Sequence, residues 1–395
     1  MPYDVVNTAE ARGLAAGKPR SFMHVIRPEI GLPDSTNPYS DTVYAAAKAN
    51  FARFQKEGTL VRAPREGVYL YRQRMTLLGR TVGQTGVVAC CHVDDYANDT
   101  IKKHEKTRPD KEDDRTRHVI ELNANAEPVF FLFNDRPEIG AMIARDSGAD
   151  GAALYDFTAS DGVRHTVWEC ADAGAYVGAF ANVPVAYVAD GHHRTAAAAR
   201  AGAVRRAANP KHTGDEGYNW FMAVLFPASE LTILPYHRVV KDLNGQSGAR
   251  VLERLREVGA VTKSSDPSPG SRGSFCVYLG AALGWHRVTL PAASIPMNDP
   301  IASLDYELLA DRVLGPILGV GDPRTDKRID FVGGIRGPAE LERRVDSGDA
   351  GAAFCMHPVR IDQLTAIADA GAIMPPKSTW FEPKLRSGLL VHTLE

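Results

Sequence analysis

Apolar residues follow a helical period early in the chain and form short continuous runs later. From Asp41 to Glu57 they recur three or four positions apart, which predicts a helix that Gly58 ends. Continuous apolar runs bounded by polar or turn residues indicate buried strands. These runs are 68–71, 86–93, 129–133, 162–168, 183–189, 220–226 and 231–240.

Further periodic segments predict helices at 137–145, 195–208, 241–258 and 301–317. Residues 264–273 are rich in Pro, Ser and Gly and predict a loop, and 275–279 with 285–290 predict a hairpin. Strands and helices alternate irregularly, so the pattern favours an α+β fold over a regular βαβ series.

Composition indicates the broad class of protein to which the chain belongs. The chain has 395 residues, 44% hydrophobic and 24% charged, as in ordinary globular proteins. Lys and Arg number 46 against 48 Asp and Glu, a net charge of −2 that indicates neither nucleic acid nor membrane as a partner. The five cysteines lack a C-x-x-C spacing, and the N-terminus lacks a secretory signal pattern. We expect a cytoplasmic protein without disulfides or structural zinc.

The sharpest candidate site is the segment Ala189-Asp-Gly-His-His-Arg-Thr-Ala196. It follows a predicted buried strand and leads into an alanine-rich helix, whose first backbone N–H groups attract an anion. Gly191 permits a close approach of the backbone, and Arg194 can bind a phosphate with two hydrogen bonds. Asp190 is placed to hold a metal ion or orient a histidine. An aspartate helix cap followed by solvated basic residues is the simpler alternative.

A second candidate is the charged segment 99–118, which holds thirteen charged residues in twenty. Glu105, flanked by His104 and several cations, could act as a general base. The cations could neutralise a polyanionic substrate. A solvated helix with ion pairs four residues apart explains the same pattern, and without further support that explanation is preferred.

Two further segments carry possible phosphate ligands, the tail 374–384 and Pro235-Tyr-His-Arg238. Neither is convincing alone. Over the whole chain, the predicted phosphate-binding residues are Gly191, His192, His193, Arg194, Thr195, Lys103, Arg108, Arg115, Arg117, His118, His237, Arg238, Lys377, Ser378, Thr379 and Lys384.

These motifs carry a resemblance. ADGHHRTAAA after an apolar strand resembles the phosphate-binding motif of the ParB/sulfiredoxin superfamily, and the whole chain is similar to domain-of-unknown-function family 1015 of bacteria and archaea. The matching pieces begin at Pro2 (PYDVV), Arg27 (RPE), Tyr71 (YRQ), His104 (HEKTRPDKEDDRTRH), Glu127 (EPVF), Asp190 (DGHHRTAA), Leu234 (LPYHRVV) and Met374 (MPPKSTWFEPKLRSGL).

The resemblance implies an α+β fold with a ParB/sulfiredoxin-like mixed-sheet core. We expect this catalytic core at 85–262, an N-terminal α/β segment at 1–84 packing on it, and a C-terminal α+β segment at 263–395 that contributes to the same site. Superfamily members include kinases that phosphorylate free L-serine with ADP, ATP or inorganic pyrophosphate.

Carried over by motif, the resemblance makes Glu105 the base for the serine hydroxyl, with His104 in the catalytic group. Asp190, His193 and Arg194 would complete that group around the donor phosphates, and Mg²⁺ is expected with the donor, with Asp190 as its ligand. The expected partners are an amino acid and a pyrophosphate or nucleotide, in a monomer or homodimer. A phosphatase acting on a small phosphorylated metabolite and a ParB-like nucleotide-binding regulatory module are the alternatives.

Overall fold

The strands of the chain belong to two units, which a computed structural model describes over residues 2–148 and 153–395. The first unit contains residues up to Thr76, residues 81–231 and the C-terminal stretch Pro383–Glu395. The second contains Leu77–Arg80 and Thr232–Glu382. The last thirteen residues of the chain therefore belong with its beginning.

Within the described residues, the first unit contains eight α-helices and ten strands. The helices are α1 (Thr8–Ala15), α2 (Met23–Ile26), α3 (Asp41–Lys56), α4 (Val93–Ala97), α5 (Pro109–Leu122), α6 (Pro137–Gly148), α7 (Ala173–Phe180) and α8 (His192–Ala208). The strands are β1 (Tyr69–Leu77), β2 (Arg80–His92), β3 (Ile101–Lys102), β4 (Ala124–Asn125), β5 (Val129–Phe133), β6 (Tyr155–Thr158), β7 (Arg164–Glu169), β8 (Ala186–Asp190), β9 (Trp220–Pro227) and β18 (His392–Thr393).

Eight of these strands form one sheet in the order β3-β8-β5-β9-β2-β1-β7-β6. Strand β5 is antiparallel to β8 on one side and parallel to β9 on the other, and β3 is parallel to β8. All five residues of β5 are apolar and buried, as expected for a strand covered on both faces. A mixed sheet in an α+β protein is confirmed, whereas the ParB/sulfiredoxin-like assignment stays a prediction.

Helix α8 packs against α5, and its composition explains how closely the two helices approach. Ala197 and Ala201 of α8 are buried to 1% exposure or less. Small side chains allow such close packing. The charged segment that contains α5 is thereby held beside the turn that follows β8.

The second unit contains four α-helices and eight strands, all within the described residues. They are α9 (Gly248–Val258), α10 (Asp305–Leu309), α11 (Gly337–Asp346) and α12 (Ile361–Asp369), with β10 (Thr232–Leu234), β11 (Tyr236–Val240), β12 (Ala260–Lys263), β13 (Ser274–Tyr278), β14 (Trp285–Thr289), β15 (Ile329–Gly333), β16 (Ala352–Met356) and β17 (Trp380–Glu382). Six strands form an antiparallel sheet in the order β12-β14-β13-β16-β11-β15. The predicted hairpin is confirmed as β13–β14.

Several predicted boundaries differ from those of the structure. The run 231–240 is two strands, since Pro235 between them has no N–H to donate to a ladder. The helix expected at 241–258 begins only at Gly248. Ser247 caps it, because its side chain accepts a hydrogen bond from the Arg250 N–H. The helix expected at 301–317 is α10 followed by a π-helical turn, Ala310–Leu314.

The predicted domain boundaries, after residues 84 and 262, fall inside strands β2 and β12. Because a strand is hydrogen-bonded to its neighbours along its length, a unit boundary inside a strand is unfavourable. The two units of the structure divide the chain at other residues. Within the described residues, no helix has the length and apolar character that crossing a membrane requires.

Candidate active site

The turn between β8 and α8 brings the Asp190 to Thr195 motif together. Gly191 has φ +90°, and a Cβ there would lie 3.0 Å from the Arg194 guanidinium carbon, so this position requires glycine. Helix α8 begins at His192, three residues earlier than predicted, and the Thr195 hydroxyl donates to the Gly191 carbonyl oxygen. The later residues of the motif, from His192 to Thr195, therefore form the first turn of a 17-residue helix.

Asp190, the last residue of β8, lies among cations. Its Oδ2 is 3.3 Å from Arg194 Nη2 and 3.7 Å from Lys384 Nζ, and the Gly191 N–H donates to the same carboxylate. Burial opposes ionisation, but the charges of Lys384 and Arg194 outweigh it and lower the pKa of Asp190 to about 2. Asp190 is therefore ionised at neutral pH, and Lys384, one of the predicted phosphate ligands, lies beside it.

Glu105 reaches the same turn from the charged segment. Its Oε2 lies 3.5 Å from His192 Nδ1, and its side chain is 51% exposed while that of His192 is buried. Burial lowers the pKa of His192 to about 4, so the ring is neutral at neutral pH. The contact places a solvent-accessible carboxylate at the N-terminus of α8.

His104 lies behind this contact. Its ring packs edge-on against His192 with the ring centroids 4.5 Å apart, and its side chain is buried. Burial lowers its pKa well below the ordinary value, with the nearby His192 ring acting in the same direction. The assignment of His104 to the catalytic group is thus corrected, because a buried neutral ring supports His192 and does not reach a substrate.

His193 occupies the second helical position and has a different role from its neighbour. The Arg108 backbone N–H donates to His193 Nε2 at 3.1 Å, which places the ring proton of the neutral tautomer on Nδ1. Burial lowers the pKa of His193, and the charge of Glu105 opposes this shift. The two adjacent histidines therefore connect α8 to Glu105 and to the start of α5.

Arg194 is turned into the protein. Its side chain is buried, Nη1 donates to the Pro128 carbonyl oxygen, and Nη2 contacts both Asp190 and, at 3.9 Å, Asp4. Burial opposes the charge, but Asp4 and Asp190 raise the pKa of the guanidinium. We correct the expectation that Arg194 binds phosphate directly, because its contacts make it the residue that positions Asp190.

Asp4 and Glu127 belong to the same neighbourhood and were not among the predicted site residues. Glu127 Oε1 accepts from the backbone N–H of Tyr3 at 2.9 Å and from the Ser387 hydroxyl at 3.1 Å. It thereby holds both ends of the chain beside the site. The signal was present, since Asp4, Glu127 and Ser387 lie in the PYDVV, EPVF and LRSGL segments that carried the resemblance.

Other predicted ligands of the charged segment have protein partners away from the turn. Lys103 Nζ pairs with Asp99 at 2.7 Å, and Arg117 pairs with Asp41 at 2.6 Å. The Arg108 guanidinium pairs with Asp110, so only its backbone meets the site. The charged run extends from the residues after β3 into α5, so its side chains point in different directions and do not converge on one ligand.

Two predicted residues of α5 are buried. Arg115 pairs with Asp114 at 2.8 Å and lies over the Tyr3 ring, with its guanidinium carbon 4.1 Å from the centroid. His118 Nε2 is 2.9 Å from the Val25 carbonyl oxygen, and burial lowers the pKa of His118 to about 3. Both residues stabilise the interior, so the expectation that they bind phosphate directly is corrected.

The remaining predicted residues, His237, Arg238, Lys377, Ser378 and Thr379, lie in the second unit. His237 is buried and accepts at Nδ1 from the Met356 N–H, while Arg238 lies over the Tyr306 ring at 3.9 Å. Ser378 donates to the Pro375 carbonyl oxygen. These contacts are internal to that unit.

Asp190 is the residue predicted to bind a metal ion. Over residues 2–148 and 153–395, no group of three His, Cys, Asp or Glu side chains has the arrangement of a metal centre. Mg²⁺ bound with phosphates takes only one or two protein carboxylates, so the ionised Asp190 fits that donor type.

The arrangement combines two chemical capacities. A long helix begins with its N–H groups beside Lys384, which favours an anion at this position. Glu105 offers an accessible carboxylate at the same turn, which can accept a proton from a bound hydroxyl.

Comparisons with known proteins show a family. A family model described as "Protein of unknown function (DUF1015)" matches residues 1–307. No curated protein is similar enough to this chain to match it.

Solved structures similar to the chain include a free serine kinase in complex with AMP, at 12% identity and a TM-score of 0.36 over 74% of this chain and 86% of that one. A conserved hypothetical protein from Pyrococcus furiosus aligns at 12% identity and 0.36 over 76% and 93%. SbnI with C-terminal truncation from Staphylococcus aureus aligns at 10% and 0.39 over 78% and 87%. Likeness at this level carries no argument about activity.

Proposed function

This chain belongs to the DUF1015 family of proteins of unknown function, and on that premise we propose that it is a small-molecule phosphotransferase. The reaction we propose is phosphorylation of free L-serine to O-phosphoserine. The observation that carries the proposal is the 3.5 Å contact between Glu105 Oε2 and His192 Nδ1, which joins a proton acceptor to the N-terminus of α8.

The donor phosphates bind at the start of α8 in this proposal. Phosphoryl transfer asks the protein mainly to position the reactants and neutralise charge. The N-terminal dipole of the helix and the Lys384 ammonium supply positive potential there, and Gly191 lets the backbone approach the phosphate oxygens. Arg194 holds Asp190 in place through the contact between its Nη2 and Asp190 Oδ2.

Glu105 is the general base, in its carboxylate form. The serine hydroxyl gives its proton to Glu105 as the serine oxygen bonds to the donor phosphorus, and the bond from that phosphorus to its leaving oxygen breaks. With inorganic pyrophosphate as donor the leaving group is orthophosphate, with ADP it is AMP, and with ATP it is ADP. Exposure of the Glu105 side chain gives a small substrate access from solvent.

Mg²⁺ is expected with any of these donors, and Asp190 is the residue that would hold it. Bound there, the ion would neutralise part of the negative charge on the donor oxygens. The ionised state of Asp190, maintained by Lys384 and Arg194, is the contribution of this chain.

The test is direct. The protein is incubated with L-serine, Mg²⁺ and in turn pyrophosphate, ADP or ATP, and O-phosphoserine is sought by phosphorus NMR. Formation of O-phosphoserine with one donor supports the proposal, and no product with any donor rejects the serine-kinase function. Release of orthophosphate from O-phosphoserine without an acceptor would identify a phosphatase instead.

A further inference from the structure

Asp4 is an accessible carboxylate beside the site that the proposed reaction does not use. Its Oδ2 lies 3.9 Å from Arg194 Nη2, the same nitrogen that contacts Asp190, and its side chain is 33% exposed. Among the described residues this contact is the one ion pair of Asp4, and it does not involve Oδ1. Because a carboxylate accepts several hydrogen bonds, Asp4 has capacity for a further positively charged partner.

The backbone at Asp4 is held in place through the preceding residue. Tyr3 is buried, and its N–H donates to Glu127 Oε1 at 2.9 Å. The Arg115 guanidinium lies over the Tyr3 ring, with its carbon 4.1 Å from the ring centroid. A binding group acts precisely only when surrounding contacts fix its position. Asp4 is therefore presented to the site from a fixed part of the chain.

Asp4 and the proposed base, Glu105, act on the same histidine ring. Burial lowers the pKa of His193, and the charges of Glu105 and then Asp4 oppose this shift most strongly. Because the interaction between charges weakens with distance, both carboxylates lie near that ring. Both side chains are also exposed in part, so small solutes reach the two carboxylates from solvent.

The chemistry of the acceptor supplies a partner for such a carboxylate. In free serine the ammonium nitrogen and the reacting hydroxyl are carried by adjacent carbons, so a residue that binds the ammonium group must lie near the base. Of the accessible carboxylates around the first turn of α8, Glu105 is that base and Asp190 is engaged by two cations. Asp110 pairs with the Arg108 guanidinium at 2.8 Å. Asp4 is the carboxylate that remains for an ammonium group.

We propose that Asp4 binds the ammonium group of the acceptor and thereby selects an amino acid as the substrate. The ammonium group donates to Asp4 while the hydroxyl of the same molecule gives its proton to Glu105. A hydroxy acid without the amino group can still present its hydroxyl to Glu105, but it lacks the charged hydrogen bond to Asp4. The choice of L-serine as the amino acid rests on the proposed function, whereas binding of the ammonium group does not require turnover.

The test compares L-serine with 3-hydroxypropanoate, which is serine without its amino group. Binding of each to the whole protein is measured by calorimetry, without any phosphoryl donor. We expect saturable binding of L-serine, with 3-hydroxypropanoate at least about tenfold weaker because it lacks the charged hydrogen bond to Asp4. Equal affinities of the two ligands, or no saturable binding of L-serine, overturn the proposal.

A variant pair assigns the effect to Asp4. Asp4→Asn keeps an oxygen for Arg194 but removes the charge, so it should weaken L-serine binding by about tenfold or more and leave 3-hydroxypropanoate binding unchanged. Asp110→Asn is the matched control, because Asp110 also acts on His193 but pairs with Arg108, and it should bind L-serine like the wild type. Unchanged L-serine binding in Asp4→Asn, or an equal loss for both ligands, overturns the proposal. The comparison of ligands on the wild type decides it if Asp4→Asn does not fold.

The outcomes separate this proposal from the proposed function. Serine binding that Asp4→Asn weakens, with no phosphorylated product from any donor, supports the role of Asp4 and rejects the kinase. Phosphorylation of serine with an unchanged KM for serine in Asp4→Asn supports the kinase and rejects the role of Asp4.

Discussion

Glu105 Oε2 lies 3.5 Å from Nδ1 of His192, and the two residues differ sharply in environment. The Glu105 side chain is half exposed, whereas His192 is buried and its pKa is lowered by burial to about 4. At neutral pH the histidine carries no charge, so the ring that the Glu105 carboxylate contacts is neutral. A base held in this way keeps its capacity to accept a proton.

Replacement of this base gives the first prediction. Glu105→Gln keeps the size of the side chain but removes the proton acceptor, so turnover in the phosphorus NMR assay should fall by about 10²–10⁴-fold. The melting temperature should change little, because the side chain is half exposed. Asp113→Asn, an exposed position on α5, is the control and should keep full activity. Full activity in Glu105→Gln would exclude Glu105 as the base.

Gly191 gives the second prediction. Gly191→Ala places a Cβ 3.0 Å from the Arg194 guanidinium carbon at a φ of +90°, so it should displace Arg194 and weaken donor binding. Gly214→Ala is matched in backbone conformation, with φ +104° and no atom within 4 Å of its Cβ. Both variants should lower the melting temperature, but only Gly191→Ala should raise the KM for the donor. Equal donor KM values in the two variants would contradict the proposed phosphate position.

Lys384 gives the third prediction, and Lys377 in the same tail is the matched control. Lys377 and Lys384 lie in one predicted phosphate-binding tail, but only Lys384 lies in the first unit, 3.7 Å from Asp190. Lys384→Met should raise the donor KM by about tenfold, as expected when one charged hydrogen-bond donor is lost. Lys377→Met should leave it unchanged. An effect from Lys377→Met alone would show that the second unit holds the donor.

The contrast between these two lysines shows how far the sequence could predict the site. Local signals identified what lies close together along the chain, such as the strand, the Gly191 turn and α8. The sequence alone could not show that 383–395 returns to the first unit while 377 stays in the second. That division depends on long-range strand pairing, and β17 pairs with β10 across about 150 residues of chain.

Burial explains the other errors at the site. Arg115, His118 and Arg238 were included as cations near a motif, yet all three are buried and have protein contacts. For Arg115 and His118 the sequence does not show which side chains point inward, because a helix as polar as α5 has no clear apolar stripe to orient it. Asp4 was missed for the opposite reason, since nothing local links residue 4 to residue 194.

Buried histidines give the last prediction, which concerns stability and pH. Burial lowers the pKa of His192 and His237 to about 4, and that of His118 to about 3. Each is neutral when folded and takes up a proton on unfolding near its ordinary pKa of about 6.5. Their contribution to stability is complete above pH 6.5 and is lost as pH falls towards 4 and below.

The melting temperature should therefore fall steeply as the pH is lowered from about 6.5 to 4. His237→Gln removes one of these groups in the second unit, so proton uptake on unfolding at pH 5 should fall by about one, with serine phosphorylation retained. His192→Gln should give the same reduction in proton uptake and also lose activity, because it removes the ring beside Glu105. Calorimetric unfolding in buffers of different ionisation enthalpy measures the uptake, and a melting temperature constant between pH 6.5 and 4 would show that these histidines are protonated in the folded protein.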